Sequence, residues 1–354
     1  MAPNRRHVGP AIRRLLDLAV TDGLAPAVGC AVVLGGEALP IITAGAATSD
    51  TFFDLASVTK LFSTVTALAL VDAGLLTLEE PVGQVLPAYS QGAKAGVTLR
   101  QLLTHTSGLP SEWSGWQRAL DEGRAFDRAL LLEDLLDTAL EAPPGTRFEY
   151  SCTGFNTVMV LAEAVSGQPW PALVQAMVLD RLATDGLTGT PQVERCAPTE
   201  YQPEYGRGLI QGIVHDEAAW SLGGLSGNAG MFATAAGLSI FGEALRTGLT
   251  GILSPVMAAQ MWRRQLPELL GQHFNPNDPG LGQGLGVRIN QQPWMGSRGT
   301  HARGHGGFTG TSLLVDRREN LTVVLLSNRV SPSRAGDDAT RLRKAVSDVV
   351  YSGA

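Results

Sequence analysis

The 354-residue chain reads as a mixed α/β protein of the α+β type, with an antiparallel sheet built from its N- and C-terminal segments, flanking helices and a large, mostly helical insertion. Three observations predict this. Near the N-terminus, Ala27–Leu34 and residues 40–44 are apolar runs on either side of Gly35-Gly36-Glu37, the signature of two strands around a turn. Near the C-terminus, residues 311–316 and 321–326 flank Arg317-Arg318-Glu319-Asn320 in the same way. The long segment between them is mostly helical in pattern, punctuated by Gly and Pro.

Taken in order, Ile12-Arg13-Arg14-Leu15-Leu16-Asp17 mixes charge into apolar positions and reads as an amphipathic surface helix rather than a signal peptide, although Arg5 and Arg6 precede it. The first hairpin follows. Leu61, Val65, Leu68, Ala69 and Val71 then recur at helical spacing, and Asp72-Ala73-Gly74 supplies a stop. After the helical middle and the second hairpin, residues 338–351 read as a closing helix. The expected division is a discontinuous sheet domain, 1–60 plus 280–354, and a mostly helical region, 61–279, forming one catalytic module with its site in the cleft between them.

Hydrophobic residues make up 44% of the chain and charged residues 17%, which suits a packed globule rather than extended disorder. A net charge of −6 leaves no basic footprint for nucleic acid. The longest apolar stretch, 61–71, is interrupted by Ser63, Thr64 and Thr66 and is far shorter than a membrane span, so no membrane partner is expected and a cytoplasmic location is the default. Cys30, Cys152 and Cys196 are odd in number and widely spaced, and the six histidines form no ligand motif. No disulfide, metal or cofactor is called for, and oligomeric state is not legible.

The tetrapeptide Ser57-Val58-Thr59-Lys60 carries the chemistry. Residues at i and i+3 share a helical face, so the Lys60 amine can reach the Ser57 hydroxyl. At the start of a helix, free backbone N–H groups and the positive end of the dipole favour a developing oxyanion and disfavour an ammonium, so Lys60 is expected to act as a neutral base. Only three of the 27 basic residues are lysines, and arginine, used almost everywhere else, cannot give up its proton. A capping serine beside a solvated lysine explains the tetrapeptide alone equally well.

A serine–lysine pair needs a group that hands a proton to the leaving atom. Tyr150, after the Pro143-Pro144-Gly145 turn and at the entrance of a helix beginning near Ser151, is the best candidate if an adjacent ammonium pulls its pKa down; plain ring packing is the alternative. Gly304-His305-Gly306-Gly307-Phe308 precedes the C-terminal hairpin, and glycines beside an edge strand let a substrate approach. The N–H groups of Phe308 and Ser57 could then form an oxyanion hole; a glycine-rich bend with a surface histidine is the bland alternative.

In this order, Ser-x-x-Lys, Tyr and His-Gly-Gly, roughly 90 and 155 residues apart, the motifs resemble the serine β-lactamase and penicillin-binding-protein superfamily, and most nearly its class C-like branch of esterases, D-aminopeptidases and related hydrolases. The resemblance spans residues 25 to 350, including Leu99 to Pro110 and Leu222 to Phe232. It implies a β-lactamase/transpeptidase-like fold. It also implies Ser57 as acylated nucleophile, Lys60 as proton acceptor, Tyr150 as proton shuttle and His305, Gly306, Gly307 and Phe308 as the oxyanion and substrate-binding strand. The implied partner is a small-molecule ester, amide or β-lactam.

Two residues depart from the family pattern. Cys152 stands where many relatives have an asparagine whose amide holds the substrate carbonyl, and a thiol donates weakly; Asn156, one turn later, is no obvious substitute. His305 replaces a lysine found in many relatives and removes a fixed positive charge, which leans away from β-lactams. The expected function is therefore an acyl-enzyme serine hydrolase of esters or small amides, the alternatives being a D-alanyl peptidase or β-lactamase and a catalytically silent penicillin-binding-like protein. His105 and Ser107 read as structural, His215-Asp216 as supporting residues, and Trp113 and Trp116 as either pocket walls or packing.

Overall fold

The computed structural model describes residues 7–275 and 282–354; Arg5, Arg6 and the first two residues of the expected 280–354 segment lie outside these. The main sheet contains β1 (Ala27–Leu34), β2 (Glu37–Ala38), β3 (Ile42–Gly45), β4 (Arg288–Ile289), β5 (Arg303–Gly306), β6 (Ser312–Asp316) and β7 (Leu321–Ser327). Its order is β2-β1-β7-β6-β5-β4, with β3 also on β1, and the pairings are antiparallel. The ends of the chain therefore meet at the β1–β7 pairing, where Val28 faces Ser327 and Leu34 faces Leu321.

The return strand of the first hairpin is split in two. Pro40 has no N–H to give, so the ladder pauses between Ala38 and Ile42. The second hairpin forms as its sequence indicates, β6 and β7 around residues 317–320.

Both faces of the sheet are covered, which is why β1 and β7 read as nearly unbroken apolar runs. Val28, Cys30, Val32 and Leu34 point to the face covered by α1 (Val8–Thr21) and the C-terminal helix Thr340–Gly353. Ala27 and Ala31 point to the other face, toward the helical region. Helix α1 is amphipathic as expected, burying Val8, Ile12, Leu16 and Ala19.

At the centre of the helical region lies α2 (Thr59–Asp72), buried on every side from Thr59 through Leu70. Its hydroxyls are satisfied internally or by neighbours: Thr64 and Thr66 donate to the Lys60 and Phe62 carbonyls, and Ser63 donates to Gly227 O at 2.7 Å. The stop is as read, with Gly74 at φ +72°. A small sheet pairs Phe53–Asp54 with Phe232–Ala233, which ties the approach to Ser57 to the 226–233 segment. Among the described residues no helix is long and apolar enough to cross a membrane, and no cluster of side chains could hold a metal ion. The three cysteines are free and buried.

Candidate active site

Ser57 sits in a short 3-10 turn, Ala56–Val58, that leads directly into α2. Ala56 is held at φ +45°, a strained conformation for a residue with a Cβ, and Asp54 fixes it by accepting the Ala56 N–H at 2.8 Å. The other Asp54 oxygen accepts the His215 N–H at 2.6 Å. The turn is thus braced from two sides.

Lys60, fully buried, reaches back from the first turn of α2 to bring Nζ 3.0 Å from Ser57 Oγ. Nζ also lies 3.2 Å from Asn228 O and 3.4 Å from Cys152 Sγ. The Asn228 carbonyl can only accept, so one N–H always points there. A neutral amine can still receive the Ser57 proton on its lone pair while donating to Asn228 and Cys152.

Burial alone would lower the Lys60 pKa, but the negative charge that the Cys152 thiol and the Tyr150 phenol carry once ionised outweighs burial and raises it above the ordinary lysine value. That direction runs against the expectation of a neutral amine. The phenol also departs from expectation. Burial raises the Tyr150 pKa more than Lys60 lowers it, so it rests as a neutral donor. Burial, only partly offset by Lys60, likewise pushes the Cys152 thiol up to about 12.

Cys152 opens α3 (Cys152–Ser166), capped by Ser151, whose Oγ accepts the Gly154 N–H at 2.9 Å. The helix start anticipated near Ser151 places Tyr150 just outside it. The Tyr150 ring is sandwiched by cation and imidazole: Lys60 Nζ is 5.0 Å and the Arg288 guanidinium 4.6 Å from its centroid, and the His105 ring lies 4.6 Å away. His105 is buried at φ +61°, accepts the Ser151 N–H on Nδ1 at 3.0 Å, and is kept neutral by burial and by Arg288 and Lys60. It packs and aims Tyr150, consistent with the structural reading.

His305, Gly306 and Gly307 bring β5 alongside the Ser57 turn. Thr309 and Thr311 donate to Asp54 O and Leu55 O at 2.7 and 3.0 Å, stitching the glycine turn to the residues before the serine. A Cβ on Gly307 would lie 2.4 Å from Leu55 O and 2.3 Å from Thr311 Oγ1, so only glycine fits there. No described residue accepts the N–H of Ser57 or of Phe308. His305 is 3% exposed rather than a surface side chain; its Nδ1 donates to Gly306 O at 2.8 Å, and burial with Arg288 and Lys60 holds it neutral. The position thus lacks the charge of a lysine.

Ser57, Tyr150, Cys152, Arg288, His305, Gly306, Gly307 and Phe308 line one cleft of about 660 Å³, with Lys60 buried behind them. Trp116 joins its wall, whereas Trp113 is buried and donates from Nε1 to Asp134 at 2.7 Å, a packing role. Phe308, 49% exposed, stacks on His215, which pairs with Glu200 at 2.9 Å. Asp216 caps the following short helix and accepts Asn228 Nδ2 at 3.0 Å. Asn156 does not take the place of the missing amide: its Oδ1 accepts the Asn228 N–H at 3.1 Å, steadying the carbonyl that faces Lys60.

Several residues in or behind the cleft escaped the sequence reading, Arg288, Asn228 and Glu112 among them. Arg288 restores a positive charge near His305 from another strand, and among the described residues no carboxylate pairs with it. The Asn228 carbonyl accepts from Lys60 Nζ at 3.2 Å, and the Glu112 carboxyl lies near the Cys152 thiol. Asn228 lies in the Leu222 to Phe232 segment that already carried part of the resemblance; nothing in the spacing marks Arg288 or Glu112.

Against known proteins, a family model described as Beta-lactamase matches residues 12–347. A curated Escherichia coli relative named "Putative D-alanyl-D-alanine carboxypeptidase" is 27% identical over 310 residues, covering 80% of this chain and 70% of the relative. Among solved structures, the fold is similar to that of EstCE1, a hydrolase with promiscuous acyltransferase activity, at a TM-score of 0.78 and 24% identity over 98% of this chain and 99% of that one. It is also similar to a D-stereospecific amidohydrolase from Streptomyces sp., at a TM-score of 0.72 and 24% identity over 95% and 97% of the two chains.

Proposed function

The chain belongs to the Beta-lactamase family, and on that premise we propose that it is a serine hydrolase that works through an acyl-enzyme on esters or small amides. The observation that carries this reading is the 3.0 Å contact between Ser57 Oγ and the buried Lys60 Nζ, beside two unclaimed backbone N–H groups. Ser57 attacks the acyl carbonyl while Lys60 takes its proton. The N–H groups of Ser57 and Phe308 hold the oxyanion. Tyr150 gives the leaving atom its proton, and water, deprotonated through the same pair, later frees the acyl group. The two proposed parts of the module, 1–60 with 280–354 and 61–279, supply opposite walls of the cleft.

A short-chain p-nitrophenyl ester is the direct test. An initial burst of p-nitrophenolate is expected, with an intact-mass increase of one acyl group that maps to the peptide bearing Ser57. A mass that stays unchanged under turnover and under an active-site phosphonate would instead favour the silent binding protein.

Because the Lys60 and Tyr150 pKa values both lie above their ordinary ranges, the reactive form with Lys60 deprotonated is a minority species at neutral pH. Its population grows as pH rises. The logarithm of kcat/KM should therefore climb with a slope of about one from roughly pH 7 to pH 9. A plateau already reached at neutral pH would show that the amine rests uncharged.

Arg288 favours a second reading. A guanidinium in the cleft that no described carboxylate pairs would suit a substrate carboxylate of a D-alanyl peptide or β-lactam, and the curated relative's name points the same way. Labelling by a fluorescent penicillin that is lost in Arg288→Met would support it.

A further inference from the structure

Strand β5 is paired with β4 only through Arg303 and Gly304. Beyond Gly304, the backbone from His305 to Phe308 lines the cleft, and among the described residues no strand pairs with it on that side. An open edge of this kind ordinarily offers alternating N–H donors and carbonyl acceptors, which is how extended peptides add themselves to sheets. Here each of the carbonyls from Gly306 to Phe308 already takes a hydrogen bond. Gly306 O receives His305 Nδ1 at 2.8 Å. Gly307 O receives both Arg343 Nη2 at 2.6 Å and the Gly310 N–H at 3.1 Å. Phe308 O receives Arg329 Nε at 2.7 Å. Two of these bonds come from guanidinium groups and are charge-assisted, so a weak amide donor does not displace them. The Phe308 N–H, by contrast, stays free.

We infer that this edge is a surface of free donors and already engaged acceptors, and that His305, Arg329 and Arg343 are specificity-determining residues that disfavour acyl groups carrying an amide N–H beside the reacting carbonyl. A peptidyl or acylamido substrate would bring its carbonyl to the Phe308 N–H but find for its own N–H only carbonyls already bonded to His305 or an arginine, and a poorly paired buried donor is penalised where a methylene is not. The acyl donors that fit are simple carboxylic esters. This rests on the acyl-enzyme reading and narrows its substrate class.

Two activated esters that differ only by NH against CH2 test it: p-nitrophenyl N-acetylglycinate and p-nitrophenyl levulinate. Each kcat/KM is divided by that ester's hydroxide-catalysed rate to remove intrinsic reactivity. Wild type should prefer the levulinate by about tenfold to hundredfold. His305→Phe keeps a ring but cannot donate, and Arg329→Met keeps the stem without the guanidinium. Each should narrow the preference by opening a carbonyl. Because Arg329 is largely buried, His305→Phe decides the matter if Arg329→Met does not fold. Turnover that depends on Ser57 but shows a preference near one, or a preference unchanged in both variants, overturns this inference alone. Absence of Ser57-dependent turnover of either ester overturns the acyl-enzyme reading, and the inference with it.

Discussion

Replacing Ser57 by alanine is expected to lower kcat/KM for a simple ester by on the order of 10⁴-fold or more, and replacing Lys60 by methionine to lower it by a comparable factor, with the double variant no worse than the poorer single one. The two side chains act as one device. Without the hydroxyl no acyl-enzyme forms, and without the amine the hydroxyl keeps its proton and is a weak nucleophile. Methionine suits position 60 because it fills a similar space in a fully buried environment without a charge. It leaves Asn228 O without its Lys60 donor, a loss of about 1–3 kcal/mol of stability that a chain of this size should survive. Circular dichroism and a thermal melt establish that the variant is folded, and single-turnover kinetics read the chemical step. A folded Lys60→Met protein within tenfold of wild type would remove Lys60 from the chemistry.

The elements that hold the site were legible because each obeys a local rule. The strands of the two hairpins are buried on both faces, so β1 and β7 appear as apolar runs, and the turns between them carry turn residues. The i, i+3 relation of Ser57 and Lys60 is a property of helical geometry and survives into the fold at 3.0 Å. What stayed hidden depends on residues far apart in sequence. Lys60 meets Asn228 and Cys152 across more than 90 positions, and the Cys152 thiol, with the Tyr150 phenol, moves the amine's pKa in the opposite direction to the helix start. The helix-start argument saw only the dipole. It could not weigh a thiol and a phenol brought in by another helix. Likewise, the glycines of 304–307 announced a close approach, but not that arginines 329 and 343 would occupy the carbonyls of the same strand. Arg288 acquires its place through β4, a two-residue strand too short to leave a periodic signal.

Tyr150→Phe is expected to produce a loss that depends on the leaving group. With an alkyl ester, the departing alkoxide is a strong base and must be protonated as the bond breaks, so kcat/KM should fall by about 10²- to 10⁴-fold. With a p-nitrophenyl ester, the leaving phenolate is stable without a proton. Since kcat/KM reports acylation alone, it should fall by about tenfold or less. Deacylation still needs the phenol to help activate water, so the acylated protein should accumulate and become visible by intact mass. Phenylalanine keeps the ring contacts with His105 and Arg288 that position the residue, so the change isolates the hydroxyl rather than the packing. The raised phenol pKa sharpens the expectation: a Tyr150 that rests protonated is ready to donate during acylation and needs Lys60 to recover its proton afterwards. Equal losses on the two esters would mean that Tyr150 only shapes the cleft, and proton delivery to the leaving atom would then fall to Lys60, the remaining acid within reach of Ser57.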